Sequence, residues 1–161
     1  MAKISNRSIF NLIIVFSIIV LFAAYFIEYV LEHKPCNLCL IERIPYFLSI
    51  ILSFFVIFLK KFERSVYLIL SLLFLFGTIV SFYHFGIEEG YFRESLVCSL
   101  SSDSLSLTKE SLLKQMNAEI ISCKDVTIRI FGLSLATINT IISLILSVIN
   151  IKLFLNYEKN K

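Results

Sequence analysis

The sequence predicts an all-α protein, an integral membrane four-helix bundle in which a short first and a long second outer loop carry the cysteines. Three observations lead there: an excess of apolar residues, four long apolar runs, and the way basic residues cluster between those runs. Of 161 residues, 58% are hydrophobic and 17% charged. An ordinary soluble domain is about 45–50% apolar and about 25% charged. A chain this short cannot bury such an excess in its own core, whereas lipid can cover it. The net charge of +3 is small and gives no reason to expect a nucleic-acid partner. No internal repeat or low-complexity tract divides the chain, so residues 1–161 are expected to form a single membrane domain.

The first apolar run extends from Ile9 to Leu31, interrupted by Asn11, Ser17 and Glu28. It exceeds the signal-peptide core of about 7–15 residues, and Ala23-Ala24 is a poor cleavage site, so a spanning helix is favoured over a cleaved leader. The second run, Ile44 to Leu59, lies between Arg43 and Lys60. It is shorter than the roughly 20 residues a span requires but can borrow Leu38, Leu40 and Ile41. Pro45 is expected in its first turn, where a missing N–H costs little. The third run is Val66 to Phe85 and the fourth extends from about Phe131 to Leu155. Backbone groups in hydrocarbon must be satisfied within their own element, so all four are expected as helices, about 9–31, 44–59, 66–85 and 131–155.

Charge sets the expected topology. With both termini inside, the inner segments hold eight basic and two acidic residues, and the outer segments seven and ten. The inner cations, among them Lys60, Lys61 and Arg64, crowd beside helix ends, as the positive-inside rule favours. The outer loops then cover about 32–43 and 86–130. Cys36 and Cys39 lie in the first, Cys98 and Cys123 in the second, on the side where disulfides persist.

Cys36-Asn37-Leu38-Cys39 is a C-x-x-C at a helix start. This spacing allows a small reducible ring. It is expected to place Cys39 near free backbone N–H groups that stabilise a thiolate. Arg43, one helical turn after Cys39, is positioned to support that thiolate or a quinone oxygen, or to serve as a topology anchor. Between Cys98 and Cys123, the recurrence of Leu112, Leu113, Met116 and Ile120 predicts an amphipathic helix on the membrane surface. Lys124 would favour a Cys123 thiolate. His84, near the outer end of the third helix, has Glu88 one turn on as a hydrogen-bond partner. A stripe of Ala136, Asn139, Thr140, Ser143, Ser147 and Asn150 points to close packing of the fourth helix. Static disulfides remain an alternative to redox exchange. A zinc ion held by all four cysteines lacks the second close pair it would need, so no metal is expected. Haem attachment lacks the histidine after the C-x-x-C.

The run Cys36-Asn37-Leu38-Cys39-Leu40-Ile41-Glu42-Arg43 resembles the C-x-x-C-x-x-E-R signature of the disulfide bond formation protein B (DsbB) family. Tyr83 to Phe92 resembles the end of that family's third helix, Phe131 to Asn139 the entry to its fourth, and Cys98 and Cys123 match its second cysteine pair in order and separation. The resemblance implies a quinone-dependent thiol oxidase of the bacterial inner membrane with periplasmic loops. A reduced DsbA-like thioredoxin-fold partner would attack Cys98, and Cys123 would exchange with Cys36. Cys39 would be released beside ubiquinone or menaquinone, with Arg43 at the quinone oxygen and His84 close to its ring. The absence of Trp, where relatives often carry one near Ile128 or Ile138, departs from the pattern in the packing around the quinone. The other readings are a quinone reductase like vitamin K epoxide reductase, whose cysteine pairs come in the opposite order, and a four-helix membrane protein with structural disulfides.

Overall fold

A computed structural model describes residues 6–59, 62–94, 98, 123–124, 129–130 and 132–157. The amphipathic helix expected around Leu112 to Ile120 lies outside the described residues, as does Ile128. Four long helices dominate: α1 (Asn6–Tyr29), α2 (Asn37–Leu59), α3 (Glu63–Glu88) and α4 (Leu135–Leu155). Each is long and apolar enough to cross a membrane. A 23-residue helix such as α2 is about 35 Å long at about 1.5 Å per residue and covers a hydrocarbon core of about 30 Å. α3 packs most extensively on α4, α1 on α2, and α2 on α3.

The polarity of the bundle is inverted relative to a soluble protein. Leu12, Phe22 and Phe58 are each 70% exposed, while Ser17, Ser49, Ser53, Ser81, Ser143 and Asn150 are fully buried. Lipid tails are as apolar as the outer side chains, so helices associate through small residues and hydrogen bonds rather than apolar burial. The Ser17 and Ser49 hydroxyls pair at 2.8 Å between α1 and α2. Ser71 and Ser147 each donate to the other's carbonyl, at 3.0 and 2.9 Å, between α3 and α4. The stripe on α4 therefore does pack, as expected, although Asn139 does more than pack. The protein is a multi-pass membrane protein with an all-α bundle.

Apolar clusters are stacked along the bundle. One joins Phe10, Ile13, Val56, Val66, Tyr67 and Leu70. A second joins Leu21, Tyr46 and Phe74. The third gathers Cys36, Leu38, Ile87, Cys98 and Cys123 at the end where α1 and α3 finish and α2 and α4 begin.

The helix boundaries differ from the sequence expectation in ways that shape the site. α2 begins at Asn37, with the C-x-x-C at a helix start as expected and with the borrowed Leu38, Leu40 and Ile41 inside it, rather than at the bound near residue 44, so the connection from α1 is short. Pro45 consequently lies inside α2 rather than in its first turn. Its ring meets α3 at Gly77, where an added Cβ would fall 3.2 Å from Pro45 Cγ. α3 runs on to Glu88, three residues past the expected end, carrying His84 and Glu88 on one helical face. α4 starts at Leu135 rather than 131, Leu133 and Ser134 being extended rather than helical. Arg129–Ile130 (β1) and Leu133–Ser134 (β2) form a two-residue antiparallel ladder around Gly132, whose φ of +83° suits glycine. Ser134 then caps α4, its hydroxyl accepting from the Thr137 N–H at 3.2 Å.

Gly86 allows a second close approach. A Cβ there would fall 2.1 Å from Phe92 Cδ2, and the Phe92 ring stacks on Tyr83 with centroids 5.6 Å apart. Gly86→Ala is expected to expel that ring and destabilise the fold by about 1–3 kcal/mol. Thermal unfolding in detergent measures it, and an unchanged midpoint would mean that the ring is not seated there.

Candidate functional site

Cys36 is the residue immediately before α2, and its sulfur takes the place of a capping side chain. The Cys39 N–H donates to Cys36 Sγ at 3.3 Å. One free N–H of the helix start is thus directed at Cys36, whereas the sequence leads one to expect such groups at Cys39. The reason is the earlier start of α2: with Asn37 as its first residue, the third N–H belongs to Cys39 and points back at residue 36. The two sulfurs are 2.8 Å apart as free thiols. Cys36 is held far below the usual thiol value of 9.0, at about 4. The Cys39 thiol is the largest cause and His84 assists, both working against burial, which raises it. With the pair reduced and Cys98 and Cys123 replaced by Ser, iodoacetamide alkylation of Cys36 is expected to keep its rate from pH 8 down to about pH 5. An ordinary thiol loses about tenfold per pH unit over the same range, and that profile would contradict the assignment.

His84 is brought to this pair from α3. Its Nε2 lies 3.5 Å from Cys36 Sγ and its Nδ1 2.7 Å from Glu42 Oε1. A carboxylate only accepts, so Nδ1–H donates to Glu42, and Nε2 faces Cys36 either as acceptor from the thiol or, once it holds that proton, as donor to the thiolate. This is a nucleophile, a base, and a carboxylate that orients the base. Glu88 was expected as the hydrogen-bond partner of His84, but its Oε1 is 3.8 Å from Nε2, beyond hydrogen-bond reach, and the short hydrogen bond goes to Glu42.

Glu42 belongs to the quoted signature but carried no role in the sequence reading. In the structure it is a hub. Its second oxygen accepts from Asn139 Nδ2 at 2.8 Å. Asn139 also donates to Ser81 Oγ at 2.6 Å and accepts from the Tyr46 hydroxyl at 2.6 Å. A buried polar string therefore leads from Cys36 through His84 and Glu42 to Asn139 and Tyr46, joining α2, α3 and α4. The available signal was Glu42 itself, a carboxylate one turn inside a spanning helix, where ionisable groups are rare and usually partnered.

Arg43 turns to α1. Its guanidinium pairs with Glu28 and lies 4.9 Å from the Tyr25 ring centroid. Glu28, the one carboxylate in the first apolar run, holds Arg43 in place. Cys98 and Cys123 form a disulfide and pack in the same buried cluster as Cys36.

A cavity of about 350 Å³ opens between the helices at this end. Ile19, Ala23, Leu135, Ile138 and Ile142 make its apolar walls. Cys36, Cys39, Glu42, Arg43, His84 and Cys123 converge on it. Its size is within the usual range of about 300–1,000 Å³ for ligand sites, and so is its design of apolar walls with a few convergent polar groups.

Four membrane-spanning helices that gather a C-x-x-C, a histidine and a loop disulfide at one end define a class, the membrane thiol–disulfide oxidoreductases. The family described as Disulfide bond formation protein DsbB matches residues 6–153, and the chain belongs to it. It is a membrane disulfide-bond formation protein. An uncharacterized protein of Rickettsia prowazekii (strain Madrid E) is 30% identical over 161 residues, covering 98% of this chain and 93% of the relative. No solved structure matches the chain.

Proposed function

We propose that the protein is a thiol oxidase of the bacterial inner membrane. It accepts two electrons from a reduced thioredoxin-fold partner outside the cytoplasm and delivers them to a respiratory quinone. The observation that carries this reading is the position of the Cys36–Cys39 pair, which lines the apolar cavity while Cys36 packs in one cluster with the Cys98–Cys123 disulfide. The positive-inside distribution of Lys and Arg supports cytoplasmic termini, which puts both cysteine pairs on the oxidising side.

The residues are assigned as follows. A partner thiolate attacks Cys98 and releases Cys123. The partner's second thiol resolves the mixed disulfide, leaving the partner oxidised and Cys98 and Cys123 reduced. Cys123 attacks Cys36 of the oxidised Cys36–Cys39 pair and releases Cys39. Cys98 then resolves the Cys123–Cys36 bond, restoring its own disulfide and leaving Cys36 and Cys39 with the two electrons. His84, oriented by Glu42, takes or returns the Cys36 proton. A bound quinone, either ubiquinone or menaquinone, supplies an acceptor of two electrons and two protons. Arg43 and His84 would hold its polar head and the isoleucine walls its ring and tail. Because thiol–disulfide exchange is nearly reversible, direction comes from the final acceptor. A partner near about −120 mV needs one that is more oxidising.

The test is quinone reduction, followed by absorbance, with purified protein and a reduced thioredoxin-fold protein. Turnover in the wild type and none in Cys98→Ser is expected. No turnover with either quinone, with all four cysteines stably oxidised, would overturn the proposal in favour of structural disulfides.

A further inference from the structure

The sulfurs of Cys36 and Cys39 and a ring nitrogen of His84 lie within 4.8 Å of one another in a buried pocket. From this cluster we propose that the reduced Cys36–Cys39 pair, with His84 and Glu88, is a binding site for one thiophilic divalent ion of the zinc type, and that the ion holds the pair out of the redox cycle. The four-cysteine zinc site weighed from sequence is a different one. Here the ligands are two sulfurs, one nitrogen and one oxygen, drawn from the start of α2 and the last turns of α3. The inference rests on the pair being reducible, as the proposed function requires.

The geometry is close to what such an ion needs. Zinc takes thiolate at about 2.3 Å and imidazole at about 2.0–2.1 Å, which in a tetrahedron sets sulfur and nitrogen about 3.5 Å apart. Cys36 Sγ and His84 Nε2 are 3.5 Å apart. The same geometry sets two nitrogen and oxygen ligands about 3.4 Å apart, and Glu88 Oε1 is 3.8 Å from that nitrogen. Two thiolates on one ion stand about 3.8 Å apart, so the sulfurs, now at 2.8 Å, must open by about 1 Å, within reach of side-chain rotation.

Two further observations point to a ligand. The Glu88 side chain is only 7% exposed, and its Oε2 has no hydrogen-bond partner among the described residues. It lines the same cavity as the two cysteines. The His84 Nδ1 is engaged by Glu42 at 2.7 Å. Metal-binding histidines almost always donate their other ring N–H to such a carboxylate or carbonyl, which fixes the tautomer and directs the free lone pair at the ion. Binding forms metal–sulfur bonds without oxidising either sulfur. Protons still on the thiols pass to solvent.

The experiment uses the full chain in detergent with Cys98→Ser and Cys123→Ser, reduced with a phosphine and freed of metal by chelation. It is titrated with cobalt(II), and zinc then competes. One equivalent of cobalt is expected to give a thiolate-to-metal absorption band that zinc removes. Glu88→Gln and Glu42→Gln are each expected to weaken binding by roughly 10–100-fold, the second without touching the ion. Circular dichroism confirms that each variant is folded. The absence of a band in the folded, reduced protein would overturn the proposal. A band of unchanged affinity in both Glu88→Gln and Glu42→Gln would also overturn it, since it would mark a bare two-thiolate adduct. Oxidase turnover is measured separately, so a protein that binds cobalt but reduces no quinone would refute the oxidase and leave the site standing.

Discussion

Cys39→Ser is expected to abolish quinone reduction. The substitution changes one atom, so the helix, the cavity and the other three cysteines are retained. What disappears is the second sulfur of the pair. Without it Cys36 cannot form the disulfide that accepts electrons from Cys123, and no two-electron store faces the cavity. The loss should therefore be total and not a graded fall in affinity. The structure adds a second expectation. Cys36 packs in the same buried cluster as Cys123 and Cys98, so with Cys39 gone the Cys36 thiolate should attack the Cys98–Cys123 disulfide, forming a mixed disulfide with Cys123 and releasing Cys98 as a thiol. Non-reducing peptide mapping would identify it. Wild-type turnover in Cys39→Ser would remove the C-x-x-C from the mechanism.

Glu42→Ala should have the largest effect on stability, a loss of about 2–4 kcal/mol. Glu42 is 8% exposed and accepts from His84 and Asn139 through its two oxygens. Removing it strands two buried donors, each costing about 1–3 kcal/mol. Glu42→Gln separates the contributions. A glutamine has one acceptor oxygen, so it can satisfy His84 or Asn139 but not both, and its own N–H₂ then faces a donor. Asn139 cannot turn over to help, because its oxygen already accepts from Tyr46. The expected order of thermal midpoints in detergent is wild type, then Gln, then Ala. Equal midpoints for all three would show that the polar string is not part of what holds α2, α3 and α4 together.

Much of this protein was written in local sequence. The four spans are properties of runs of about 20 residues, because lipid imposes one demand on every residue of a segment and a hydropathy run reports it directly. The C-x-x-C and the signature around it are local too. So is the stretch from Tyr83 to Phe92 that carries the family resemblance, although α3 runs on to Glu88 rather than ending at residue 85. Helix starts were less legible. The structure begins α2 at Asn37 although Cys36 to Arg43 is mixed in polarity, because tertiary packing buries Leu38 and Glu42 together. With Asn37 first in α2, the N–H of Cys39 points back at Cys36.

The sequence by itself determined the membrane class, the count of spanning helices, the cysteine pairs and the family. Only the tertiary structure decided which groups face one another. Glu42 meets His84 across 42 positions and Asn139 across 97, and Arg43 meets Glu28 rather than the Cys39 sulfur. The physical reason is that spacing along a helix fixes which residues share its face, but not which way that face turns. That rotation is set where Gly77 lets α3 close on Pro45 and where Ser71 and Ser147 lock α3 to α4, contacts between segments that no local pattern can register.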